Sequence, residues 1–317
     1  MSEKSLTDRI KLVVLAAALM FIPMPSWAQT QTGSDTLSHW TWPFFIVVPL
    51  SLTALLYVVG IMRMLRRGLG SSVFVWPVVC FALGWISLVL ALDSPLHELG
   101  EQLFWAHMTQ HEILMLISAP LLVLGRPLIP FLWALSPAWR DRTARLGRSQ
   151  PFKRIWSTVS APLFAWLLSA VALWIWHFPL LFDQTLHSDW IHAAQHITFL
   201  GTALLFWWPL VNRTPALGYG GSLLYVFTTI LHTSVLGGLL TFAPRPWYAS
   251  YLTTAPWWHL TALEDQQLGG LIMWIPAGTL LLVVALVLLV KWIQESQTRW
   301  QYTRMAELGR LSVRGAK

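Results

Sequence analysis

Apolar residues in this chain come in long blocks, separated by short stretches that carry its arginines, glycines and prolines. A helix rises 1.5 Å per residue, so about 20 residues cross the roughly 30 Å hydrocarbon layer of a bilayer. Seven blocks meet that length: Pro43–Met62, Phe74–Leu92, Phe104–Leu124, Ala161–Phe178, Ile191–Val211, Ser222–Phe242 and Leu268–Val290. The pattern predicts an all-α integral membrane protein, a seven-transmembrane-helix bundle over residues 43–290. An earlier apolar run, Leu12 to Phe21, is shorter, follows Lys4, Arg9 and Lys11, and is broken by Pro23 and Pro25. With Ser26-Trp27-Ala28 behind it, this run reads as a signal peptide over residues 1–28 with cleavage after Ala28; an uncleaved anchor is the alternative. Residues 29–42 then form a periplasmic linker and residues 291–317 a basic cytoplasmic tail.

Charge orients the bundle. Outside the signal, every lysine and arginine except Arg245 falls in segments on one side of the seven blocks. Cytoplasmic loops collect positive charge, so the mature N-terminus lies outside and the C-terminus inside. Trp42, Trp105, Trp176 and Trp190 sit near the outer ends, where interfacial aromatics are expected. The net charge of +7 is therefore topology, with no nucleic-acid partner implied, and the bilayer is the solvent. A hydrophobic content of 56% against 11% charged residues excludes a soluble domain. The basic loop Arg126 to Arg154 reads as an amphipathic segment on the membrane surface.

The chemistry lies in the histidines. His107 with His111, and His192 with His196, are spaced four apart, so each pair shares one helix face. Reckoned from the outer ends, His107 and His111 lie roughly 5 and 10 Å deep, and His192 and His196 roughly 2 and 8 Å. His177 closes the fourth block, and His232 lies about 15 Å down the sixth. Any one of these can be a packed histidine bonded to a neighbouring helix. Two same-face pairs and two further histidines at overlapping depth point instead to a shared metal or cofactor. His39, His97, His187 and His259 read as solvated loop residues.

Imidazole suits copper and zinc, and thioether favours Cu(I). Met115 continues the His107 and His111 stripe, and Met108 and Met273 are near in this layout. Cys80 is the single cysteine, which excludes a disulfide or a two-thiolate site within one chain. Glu112 is the one carboxylate well inside a block; it is either a protonated acid bonded locally or a partner that orients a ligand imidazole. Gly237-Gly238 and Gly269-Gly270 permit close approach of the sixth and seventh helices.

Three segments together resemble a known family. They are Ala106-His107-Met108-Thr109-Gln110-His111 running into Ala119 to Pro127; Trp176-His177-Phe178-Pro179 followed by His192 to His196 and Phe206-Trp207-Trp208-Pro209; and Asp265-Gln266-Gln267-Leu268-Gly269-Gly270 with Met273-Trp274. Their order is similar to that of the multi-span CtaG-type cytochrome c oxidase assembly factors, over about Trp40 to Lys291. The resemblance implies a non-enzymatic role at the bacterial inner membrane, delivering copper to the buried centre of a haem-copper oxidase. It maps the family's histidines onto His107, His111, His177, His192 and His196, and its acidic motif onto Asp265. His232 and Met115 are expected to complete or relay the site, with Gln110 and Glu112 supporting it. The implied partners are the oxidase core subunit and a periplasmic copper donor. A b-type haem oxidoreductase, an ion-coupled transporter and a metal-free assembly scaffold are the rival readings.

Overall fold

The computed structural model describes residues 44–69, 75–212 and 217–315. The expected signal peptide, the linker and His39 lie outside them.

Among the described residues every regular element is helical. In order they are α1 (Phe44–Arg66), α2 (Val75–Asp93), α3 (Pro95–Gln102), α4 (Phe104–Glu112), a π-helical turn Ile113–Ser118, α5 (Ala119–Leu124), α6 (Leu128–Ala134), α7 (Pro137–Arg148), α8 (Gln150–Val159), α9 (Pro162–Trp176), α10 (Pro179–Thr185), α11 (Asp189–Asn212), α12 (Gly218–Thr241), α13 (Tyr251–Thr254), a 3-10 turn Ala255–Trp258 and α14 (Ala262–Gly315). Proline opens α3, α7, α9 and α10, a position whose N–H would go unused in a helix anyway.

Four of these helices, α1, α2, α12 and α14, are each long and apolar enough to cross a membrane. Two bent pairs bring the number of candidates to as many as 6: residues 104–124 with α6 at 61°, and α8 with α9 at 58°. α11 has the length, 24 residues, but its polar residues, His192, Gln195 and His196 among them, keep it outside that set. Leu52, Leu83, Leu167, Leu231 and Val283 all stand outward from their helices. An apolar exterior of this extent marks contact with lipid.

The third block was expected to be one uninterrupted helix, and it is not. Pro120 has no N–H to offer the Leu116 carbonyl and crowds it. The chain widens just ahead of it, where the Ala119 N–H bonds Leu114 O, five residues back. The last helix also outruns expectation. α14 is 54 residues long, about 80 Å, and takes in residues 291–315 because no proline interrupts them and Glu295 pairs with Arg299 one turn on.

Glycine brings α12 and α14 together, though not all four glycines serve that contact. A Cβ on Gly237 would stand 2.9 Å from Trp274 Cβ, and one on Gly270 2.6 Å from Thr241 Oγ1. Gly269 instead faces α4, where a Cβ would collide with the Phe104 ring, and Gly238 faces open space. At one end of the bundle Phe104, Met108, Phe182, Phe199, Tyr248 and Tyr251 form a dense aromatic core. The candidate site is built on that core.

Candidate metal centre

The site begins with the first turn of α4. Leu103, its N-cap, has no side chain able to satisfy the free amides there. Asp265 does so from α14: Oδ2 accepts from the Phe104 N–H at 2.7 Å and Oδ1 from the Trp105 N–H at 3.0 Å. This fixes the helix that presents His107 and His111, whose rings meet edge to face at 4.5 Å. Across from it α11 presents His192 and His196 at 4.4 Å. His107 stacks on His192 at 5.1 Å, and His111 lies 5.5 Å from His196. All four are buried. His177, the C-cap of α9, is also buried, 6.4 Å from His111.

Hydrogen bonding assigns lone pairs to particular nitrogens. Gln195 Oε1 accepts from His107 Nε2 at 3.2 Å, which leaves the electron pair on Nδ1. The Leu173 carbonyl can only accept, so His177 Nδ1 donates to it at 2.7 Å and its bare Nε2 faces Met108 Sδ at 3.4 Å, two Lewis bases with no proton between them. His111 has no hydrogen-bond partner for either nitrogen, and Nε2 of His192 and of His196 are equally without one. Each buried polar atom left unpaired costs about 1–3 kcal/mol. One nitrogen each from His107, His111 and His196 lie within 4.8 Å of one another. A soft or borderline transition-metal ion fits such a donor set.

His97 corrects the sequence reading, which took it for a solvated loop residue. Ser94 caps α3 by accepting from Leu96 N at 3.2 Å, and Pro95 follows. Without an N–H on Pro95 the Ala91 carbonyl loses its helical partner, and Gln110 Nε2 donates to it instead at 2.6 Å. The same amide nitrogen lies 2.9 Å from His97 Nδ1. His97 is thereby folded over the cluster, stacked on His192 at 5.1 Å. Glu101 stands one turn further on, 4.0 Å from His97 Nε2, and is held above the usual carboxylate range by burial and by the nearby Glu98 and Asp189. The spacing of His97 and Glu101 behind a Ser-Pro helix start was the available signal. Gln195, between His192 and His196, was missed as well.

Three expected residues lie elsewhere. Glu112, Met115 and His232 line a separate cavity of about 60 Å³ with Leu173, Trp207 and Met273. The π-helical turn carries Met115 off the histidine stripe, and its carbonyl accepts from Trp207 Nε1 at 2.8 Å. His232 packs edge-on to Trp166 at 5.5 Å. In that cavity Glu112 Oε2 and His232 Nδ1 have no hydrogen-bond partner.

The profile of the cytochrome c oxidase caa3 assembly factors, Caa3_CtaG, matches residues 55–295. The chain belongs to this family. The Caa3_CtaG match takes in all the histidines of the cluster together with Asp265, and agrees with the resemblance carried by the three sequence segments. Uncharacterized proteins of Mycobacterium bovis and Mycobacterium tuberculosis are each 26% identical over 283 residues, 85% of this chain and 42% of theirs. An uncharacterized protein of Mycobacterium leprae is 27% identical over 256 residues, 75% of this chain and 37% of its own. The chain thus spans about two fifths of the length of the curated relatives it matches. No solved structure matches it.

Proposed function

We propose that the protein is a non-enzymatic, inner-membrane assembly factor that holds copper in the histidine cluster and passes it to the copper centre of a haem-copper oxidase. Family membership supports the oxidase partner. The copper step rests on one observation: His111 is buried with both nitrogens unpaired while nitrogens of His107 and His196 converge beside it. Packing alone leaves that cost standing, and a bound ion removes it. Imidazoles suit copper, and the Met108 thioether stands beside His177 at the edge of the cluster.

In this reading α11 is the seventh crossing, the histidine end faces the periplasm, and the basic tail lies in the cytoplasm. Positive charge collected at the opposite ends supports that orientation. A periplasmic donor loads the site. Transfer by lateral contact with the oxidase core subunit spares the ion a passage through water. The rings touch one another at 4.4–5.5 Å, which suits a compact chelate and leaves no slot for a haem macrocycle between them.

The test is metal analysis of the purified full chain beside a variant lacking His107, His111, His192 and His196, with the copper content of the oxidase measured in His111→Ala and His196→Ala cells. Copper in the wild type only, and a copper-poor oxidase in both single variants, are expected. Normal oxidase copper in both would overturn the proposal.

A further inference from the structure

Beside the inner cluster stands a second group of donors that shares His192 with it and adds two residues not yet used. One ligand atom each from His97, Glu101 and His192 lie within 4.8 Å of one another. His192 is 6% exposed and its Nε2 has no hydrogen-bond partner. The Glu101 side chain, by contrast, is 48% exposed and the His97 side chain 14%. This group therefore opens outward, while His107, His111 and His196 are closed in. The two groups are joined by a stack of three nearly parallel imidazoles, His97 on His192 at 16° and His192 on His107 at 17°.

We propose that His97, Glu101 and His192 form an outer binding site for a divalent transition-metal ion, from which the ion moves inward, still divalent, to His107, His111 and His196. The inward step rests on the function proposed above; the outer site itself does not. A carboxylate with two imidazoles accepts a harder ion than an all-imidazole set with a thioether, so the outer site suits Cu(II) or Zn(II). Glu98 and Asp189 stand close enough to act on Glu101 at this mouth, and acidic side chains there attract cations. His192 contacts both groups and serves as the pivot between them.

Gln110 sets the terms of occupancy. Its Nε2 donates to Ala91 O and to His97 Nδ1, so the ring proton of His97 sits on Nε2. An ion at Nε2 displaces that proton to Nδ1, and the partnerless Gln110 Oε1 must turn to accept it. The turn gives up the bond to Ala91, whose carbonyl has no other helical donor because residue 95 is proline. Binding at the outer site is weakened accordingly, and a weak outer site releases its ion inward.

The full chain, purified and stripped of metal, is titrated with Cu(II) in glycine buffer and followed by electron paramagnetic resonance. The wild type is expected to take two ions of unequal affinity. Glu101→Gln should bind the weaker ion at least tenfold less tightly and keep the tighter one, with Glu101→Asp restoring part of the loss. The double variant His111→Ala/His196→Ala should keep only the weaker ion, with a mixed nitrogen and oxygen ligand spectrum. Unchanged stoichiometry and spectrum in Glu101→Gln would overturn the outer site while leaving the inner one standing. Loss of an ion in Glu101→Gln but in no inner-site variant would overturn the inner reading instead.

Discussion

His111 and Glu112 are neighbours in sequence and look into different cavities. On the His111 side, imidazoles from α3, α4, α9 and α11 crowd together with several nitrogens unpaired. On the Glu112 side, one carboxyl and one imidazole stand in a largely apolar cavity of about 60 Å³. The number of unpaired nitrogens gathered together, rather than burial alone, sets the cluster apart from that cavity.

The strongest test of that contrast removes a ligand from the crowded side. His111→Ala should weaken Cu(I) binding by more than roughly the 10–100-fold typical of an outer-shell change, measured by competition with a chromophoric chelator. Gln195→Leu, which leaves the ligands in place but frees the His107 tautomer, should fall within that window of about 10–100-fold in the same assay. A value equal to wild type would mean that His107 is not held as described.

Asp265→Ala strips the acceptor from two amides at the start of α4. It should cost about 0.5–2 kcal/mol, as other cap removals do, seen as a lower Tm in detergent, with copper affinity falling in step. The smallest effect belongs to Glu112→Gln. It keeps the shape of a residue in the other cavity and should change copper affinity by less than about twofold, an energy below roughly 0.5 kcal/mol. If Glu112→Gln instead abolished binding, the two cavities would have to be treated as one site.

What the sequence revealed of all this follows from periodicity. The i, i+4 histidine pairs were visible because a regular helix sets their direction, and each apolar block except the third, which a π-helical turn divides, coincides with one described helix over most of its length. Met115 went astray because a π-helical turn, provoked by Pro120, shifts the register that its placement assumed. His97 was hidden for another reason. Its position depends on Gln110 reaching a carbonyl left vacant by Pro95, a contact between two helices that no single-helix pattern encodes. Asp265 was recognisable as part of a motif, but its role as the cap of a distant helix needed the 161-residue separation to be closed in space.

That cap has a mechanical side. Both carboxylate oxygens of Asp265 grip the origin of α4, while the rod that bears Asp265 continues for about 80 Å to the opposite end of the molecule. The clustered rings and far terminus thus share one stiff linkage, so a body that tilts the rod at its distal tip also displaces those imidazoles.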